Sequence, residues 1–222
     1  MAAPTPGHFI TFEGVEGCGK TTQILRLADR LRARGLPVTL TREPGGTPFG
    51  QAVRRVLLDP AGPPREPAGE LLLYLADRCQ DLAQCIRPAL GAGHVVLCDR
   101  YHDATLAYQG AARGIARSVI DRLAAALDIL PPDLTFLLDI DPERSLARAI
   151  ARNAATAEGA AESRFEGETL AFHRAVRAGY LELARQEPER FAVIDADRAP
   201  DPIFADIAAR TDVLLAGRRR ED

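Results

Sequence analysis

Residues 8–35, HFITFEGVEGCGKTTQILRLADRLRARG, constrain the fold more than any other part of the chain. HFITF (8–12) is a short apolar run, partly β-branched, that stops at Glu13-Gly14 and predicts a buried strand. A glycine-rich loop follows. Ile24, Leu25, Leu27, Ala28 and Leu31 then recur at helical spacing up to Gly35. A strand that enters a glycine loop and leaves as a helix is half of a parallel crossover unit, so the chain is predicted to be α/β.

The rest keeps that rhythm. LPVTLT, HVVLC, LTFLLDI and RFAVIDA read as four further strands. Helical patterns stand in FGQAVRRVLLD, ELLLYLADRCQDLAQCIRPAL, ARSVIDRLAAALDIL, DPERSLARAIAR, RFEGETLAFHRAVRAGYLELARQ and DPIFADIAARTDVLLAG. The Pro/Gly cluster at 60–69 reads as a surface loop, and the small-residue run 153–163 as a flap. The expectation is one domain over residues 1–222, a five-stranded parallel sheet covered by helices on both faces, with short tails and a short lid at about 148–165.

Composition narrows the classes. A net charge of -3 argues against a chain held to nucleic acid by bulk positive charge, and no apolar run reaches the roughly 20 residues of a membrane helix. Four cysteines without a CxxC pair predict reduced thiols in a cytoplasmic protein. Of the 28 Lys and Arg residues, 27 are arginine, and the single lysine is Lys20, between glycines and threonines.

Gly14, Gly19, Lys20 and Thr21 fit G-x-x-x-x-G-K-[ST], the P-loop pattern, in the strand-to-helix context it needs. The loop Gly14, Val15, Glu16, Gly17, Cys18, Gly19, Lys20, Thr21, Thr22 would wrap backbone N–H groups around nucleotide phosphates. Lys20 would reach the outer phosphates as a compact charge that arginine's broad fork fits poorly. Thr21 offers a hydroxyl to Mg²⁺, and Asp99, at the end of HVVLCD, is a second metal candidate; a helix cap is its alternative role. Arg42, Arg78 and Arg100 sit in TREPGG, YLADR and DRYHDATLAYQG, and clustered arginines imply a second, phosphorylated substrate. Arg148 and Arg152 flank the flap and could act as an internal arginine finger, with a solvated helix face as the alternative for each.

On FITFEGVEGCGKTTQ, TREPGGTPFGQ, ELLLYLADRCQ, DRYHDATLAYQG, PPDLTFLLDIDPE and SRFEGETLAFHRAVRAGYLEL, the chain resembles thymidylate kinases among the P-loop nucleoside-monophosphate kinases. The segments run in family order from about residue 8 to residue 195. The resemblance implies a P-loop NTPase three-layer fold acting as a homodimer, and transfer of the γ-phosphoryl of ATP, with Mg²⁺, to dTMP in dTTP biosynthesis. It implies that Lys20, Thr21 and the loop hold ATP, and that Asp99 manages the metal. Arg42 and Arg100 would hold the dTMP phosphate, with Pro44 in the same wall. Glu16 would approach the 3′-hydroxyl. Tyr74 would supply an aromatic face for thymine and Arg78 a hydrogen bond to a base carbonyl; at i and i+4 the two share a helix face. Tyr108 would exclude a 2′-hydroxyl, and Thr105 and Gln109 would lie near the base.

Two departures stand out. Ala104 occupies a position where the family usually has serine, and the Ala-rich flap has no basic residue between 153 and 163. With no arginine inside the P-loop either, the chain resembles the lid-arginine type, with Arg152 the first choice and Arg148 the second. The alternatives are a kinase of another small acceptor or a P-loop switch; the latter would carry N-K-x-D, which a single lysine inside the P-loop forbids.

Overall fold

Strand β1 (His8–Glu13) is central in a computed structural model that describes residues 7–155, 161 and 163–217, apart from the side chain of Arg152. Most of the flap and the terminal arginine run lie outside the described residues. β1 pairs in parallel with β3 (Val95–Asp99) on one side and β4 (Leu134–Asp139) on the other. β2 (Val38–Arg42) and β5 (Phe191–Asp195) complete the order β2-β3-β1-β4-β5. All four pairings are parallel. Asp99 is in register with both Phe12 and Arg42, so the loops after β1, β2 and β3 leave one edge of the sheet together. That edge, beyond the carboxyl ends of the strands, is where such sheets bind ligands.

Alternation along the strands explains the two covered faces. Ile10, Phe12, Val95 and Leu97 belong to one apolar cluster, while Phe9, Val96 and Cys98 belong to another with Leu82, Ile86 and Tyr101. All seven strand residues are buried. Each such large side chain contributes about 1.5–3 kcal/mol on removal from water. This is why neither strand shows the polar alternation of a half-wet sheet.

The helices follow α1 (Lys20–Ala33), α2 (Pro48–Leu58) and α3 (Pro67–Asp81), which continues through a widened π turn at Leu82–Ile86 into α4 (Arg87–Gly91). The expected loop at 60–69 therefore ends early: Pro67 occupies the first turn of α3, where its missing N–H has no partner to lose. A short α5 (His102–Thr105), unassigned by periodicity, runs into another π turn at Leu106–Ala112. Then come α6 (Arg117–Ala126), α7 (Pro142–Ala154), α8 (Leu170–Gln186) and α9 (Pro200–Gly217). One helical expectation is corrected. RFEGETL does not begin α8: it makes a 3₁₀ turn at Phe165–Gly167, and the helix starts afresh where Thr169 Oγ1 accepts from Phe172 N at 3.2 Å. A glycine and a capping threonine within three residues outweigh the apolar spacing. Among the described residues, no helix is long and apolar enough to cross a membrane.

Candidate active site

The glycine loop is shaped by positions where a side chain would clash or would strain the backbone. At Gly17, with φ +73°, an added Cβ would lie 2.0 Å from the carbonyl oxygen of Ser145 in α7. Gly19, at φ +98°, turns the chain into α1, whose first turn has neither a capping side chain nor an acid. The first N–H groups of α1 thus have no side-chain acceptor, and following the glycine loop they form an anion seat. Lys20 Nζ donates to the carbonyls of Gly14 and Val15, both at 3.0 Å, and contacts Cys18 Sγ at 3.4 Å. Glu16, Gly17, Gly19, Lys20, Thr21 and Thr22 line a cavity of about 630 Å³, while the Val15 and Cys18 side chains turn into the core. Thr21 Oγ1 donates to Asp99 Oδ2 at 3.0 Å, setting a hydroxyl and a carboxylate side by side on the cavity wall. These are oxygen donors of the kind a hard divalent cation takes.

Arg100 stands opposite. Its backbone is left-handed, φ +66°, a conformation that costs an L-residue roughly 1–2 kcal/mol. The turn is held by Arg100 N donating to Phe12 O at 3.0 Å and Tyr101 N donating to Glu13 Oε1 at 2.7 Å. So the end of β1 fixes the turn after β3. The guanidinium is thereby aimed at the loop, donating to Gly14 O at 3.0 Å and Glu16 Oε1 at 2.9 Å.

Glu16 is the meeting point of the two walls. Tyr108 donates its hydroxyl to Glu16 Oε1 at 2.6 Å, and His173 Nδ1 lies 3.3 Å from Oε2. Burial alone would raise its pKa, but Arg100, His173, Lys20 and Tyr108 together pull it down to about 2. Glu13 goes the other way: burial and nearby Asp103 lift it to about 7 against the Tyr180 hydroxyl, Arg100 and Tyr101 N.

Arg78 is held from three sides. Nε donates to Glu43 Oε2 at 2.7 Å, and Nη1 donates to Thr105 Oγ1 at 3.0 Å and His102 Nδ1 at 3.3 Å. Burial, followed by Arg78, Arg117 and Arg190, pushes His102 down to about 3, so its ring is a neutral acceptor. Nη2 has no partner among the described residues and is free for a ligand. Tyr74 and Arg78 both line the cavity, as the i, i+4 spacing predicts. Arg42, Pro44, Ala104, Thr105, Tyr108 and Gln109 line it too. Ala104 presents only a methyl group to the cavity.

The finger candidates divide. Arg148 reaches the cavity wall but is held loosely to Asp197 and the carbonyl of Ala196, each at 3.5 Å. The Arg152 side chain lies outside the described residues. Sequence reasoning missed Glu13, Glu43, His173, Tyr180 and Phe165. His173, Val176 and Tyr180 are buried on one face of α8 at i, i+3 and i+7, so its periodicity carried the signal. Glu13 was visible as an acid ending an apolar strand.

Comparison with known proteins bears on the family and the fold. The thymidylate kinase family model matches residues 12–207. A thymidylate kinase of Solidesulfovibrio magneticus is 54% identical over 196 residues, covering 88% of this chain and 94% of the relative. One of Deinococcus radiodurans is 52% identical over 204 residues, covering 91% and 95%. The crystal structure of thymidylate kinase from Ehrlichia chaffeensis superposes with a TM-score of 0.73 at 32% identity, over 94% of this chain and 100% of that one. A phosphate loop facing an arginine wall, in a chain matched almost from end to end, leads to one conclusion: the chain belongs to the thymidylate kinase family of nucleoside-monophosphate kinases.

Proposed function

We propose that the cavity between the glycine loop and the Arg42–Arg78–Arg100 wall is where the γ-phosphoryl of ATP passes to dTMP, giving dTDP and ADP. The observation that carries this reading is Arg100, whose guanidinium bridges Gly14 O of the phosphate loop and Glu16 across one shared cavity. In phosphoryl transfer the protein does little covalent chemistry, and the rate comes from positioning and from neutralising charge.

The parts divide as follows. The loop N–H groups and Lys20 receive the ATP phosphates; Lys20 exchanges its two carbonyl acceptors for phosphate oxygens. Arg100 and Arg42 take the dTMP phosphate, with Pro44 shaping the wall beside Arg42. Glu16 accepts from the 3′-hydroxyl, Tyr108 closes the space a 2′-hydroxyl would need, and Tyr74 lies against thymine. Nη2 of Arg78 donates to a base carbonyl, with Thr105 and Gln109 nearby. Mg²⁺ would be held by Thr21 and Asp99, whose oxygens fit it, and when bound it neutralises charge on the transferring phosphoryl group. Arg152 completes the lid at about 148–165 within the single domain, with Arg148 second.

Two wider elements belong to the same reading. Exposed Phe49, Val56 and Leu72 on α2 and α3 are apolar surface that a second copy would cover in a homodimer. A cytoplasmic setting agrees with four free cysteines. The test is ADP release with ATP and Mg²⁺ over dTMP, dUMP, UMP, dCMP, AMP and no acceptor. Turnover should be strongest with dTMP and lowered on the order of 10³-fold by Lys20→Ala. Equal release without any acceptor would show an ATPase and end the proposal.

A further inference from the structure

Behind the cavity, and not lining it, lies a buried carboxylate that the phosphoryl-transfer machinery does not use. Glu70, in the first turn of α3, is 1% exposed, and its two oxygens gather three side chains. Oε1 accepts from Gln109 Nε2 at 2.8 Å and lies 3.5 Å from Arg113 Nε. Oε2 accepts from Arg164 Nη2 at 2.5 Å. Arg164, just past the flap, also donates from Nη1 to Leu57 O at 3.0 Å, while Arg113 donates to Glu168 Oε1 ahead of α8.

The chemistry of this cluster fixes one end of a side chain that does line the cavity. A primary amide can present either its acceptor or its donor, and the groups around it decide which. A carboxylate between two guanidiniums has only acceptors to offer, so the amino end of Gln109 must face Glu70. The carbonyl end is then directed to the cavity, and Gln109 Oε1 has no hydrogen-bond partner among the described residues.

We propose that Glu70 is a positioning residue that locks the Gln109 amide with its carbonyl towards the base, so that the site accepts a pyrimidine carrying a proton on N3 and rejects one carrying a lone pair there. Thymine has that proton; cytosine presents a lone pair to a lone pair. Because Arg164 is tied to the same carboxylate, the lock is shared with the segment that follows the lid. This rests on the reading above that puts the base beside Tyr74, Arg78 and Gln109.

The experiment compares kcat/KM for dTMP and dCMP, with ATP and Mg²⁺, in the wild-type protein, Glu70→Gln, Gln109→Met and the double variant. A glutamine at position 70 can donate as well as accept, so the Gln109 amide is freed to turn. The dTMP/dCMP ratio should fall about tenfold in Glu70→Gln, the worth of one hydrogen bond, through KM for dTMP with KM for ATP unchanged. The same fall is expected in Gln109→Met, with none added in the double variant. Independent, multiplying effects would overturn the proposal, as would an unchanged ratio in Glu70→Gln accompanied only by a lower melting temperature. If Gln109→Met alters the ratio and Glu70→Gln does not, the lock fails while the base site stands. If neither alters it, the placement of the base fails with the lock. Should Glu70→Gln not fold, Glu70→Asp keeps the charge beside both arginines and withdraws the acceptor by one methylene. Its ratio should still fall, and a wild-type ratio would overturn the proposal.

Discussion

The two sides of the cavity are built differently. On the wall assigned to the acceptor, Arg78 and Glu43 form an ion pair whose side chains are 1% and 2% exposed, and Arg100, Glu16 and Tyr108 interlock beside it. On the donor side, Lys20 rests on main-chain carbonyls of its own loop, and Arg148, 46% exposed, leans on Asp197. The acceptor seat is set by buried charges that hold one another in place. The donor seat is set by backbone curvature, and its cations have partners that are easily exchanged. Pre-organisation therefore depends on folding in one half and on ligand in the other.

Lys20→Ala is the strongest way to break that contrast. Without the ammonium, kcat should fall on the order of 10³-fold, while the melting temperature stays within a few degrees. A large loss of stability would mean that the loop, too, is held by its charge. Next in size, Arg78→Ala should destabilise by about 3 kcal/mol in denaturant titration, because Glu43 is left buried without its counter-charge. Arg148→Ala should change stability by about 0.5 kcal/mol or less, as exposed pairs do. Comparable values for the two arginines would erase the distinction. A smaller effect sharpens the assignment of the lid: Arg152→Ala should lower kcat at least about tenfold and more than Arg148→Ala. The reverse order would exchange their roles.

The smallest effect is a slope with pH. Burial lifts Asp77 from 3.8 to about 6, aided by Asp81. Burial likewise lifts Glu13 from 4.5 to about 7, with Asp103 adding to it. Both bind a proton more tightly folded than unfolded, so their contribution is whole below about pH 4 and is lost as pH rises to 7. Glu16, pulled down to about 2, contributes above pH 4.5 and does not change across this window. His102, held down to about 3, opposes them up to about pH 6.5, so the melting temperature should decline from pH 5 to 7.5 by the excess of the carboxyl groups over one imidazole, and Asp77→Asn, which keeps the acceptor for Gly45 N, should shrink that decline. An unchanged slope would place its source elsewhere.

Local pattern revealed the strands, the phosphate loop and the cavity-facing arginines, because each stands in a short segment whose chemistry is complete within a few residues. Asp99 beside the loop was legible too, since a parallel sheet aligns strand ends. The supports of the site were not. Glu13 and Tyr180 meet at 2.7 Å although they are 167 residues apart, and His173 reaches Glu16 from another layer. Such pairings follow from how α8 lies on the sheet, which no window of sequence contains. The restart of α8 at Thr169 was missed for the opposite reason: a single capping bond overrode a longer apolar pattern.

The lone lysine has a consequence for how the protein can be probed. An amine-acylating reagent meets one side-chain amine in the whole chain, and it stands inside the phosphate loop, 7% exposed. A protease that cuts after lysine has the same single address, Lys20-Thr21, at the entrance to α1. Acylation yield and scission at that bond therefore act as built-in footprints of one loop. Nucleotide that fills the loop should suppress both, and loss of the fold should release both together.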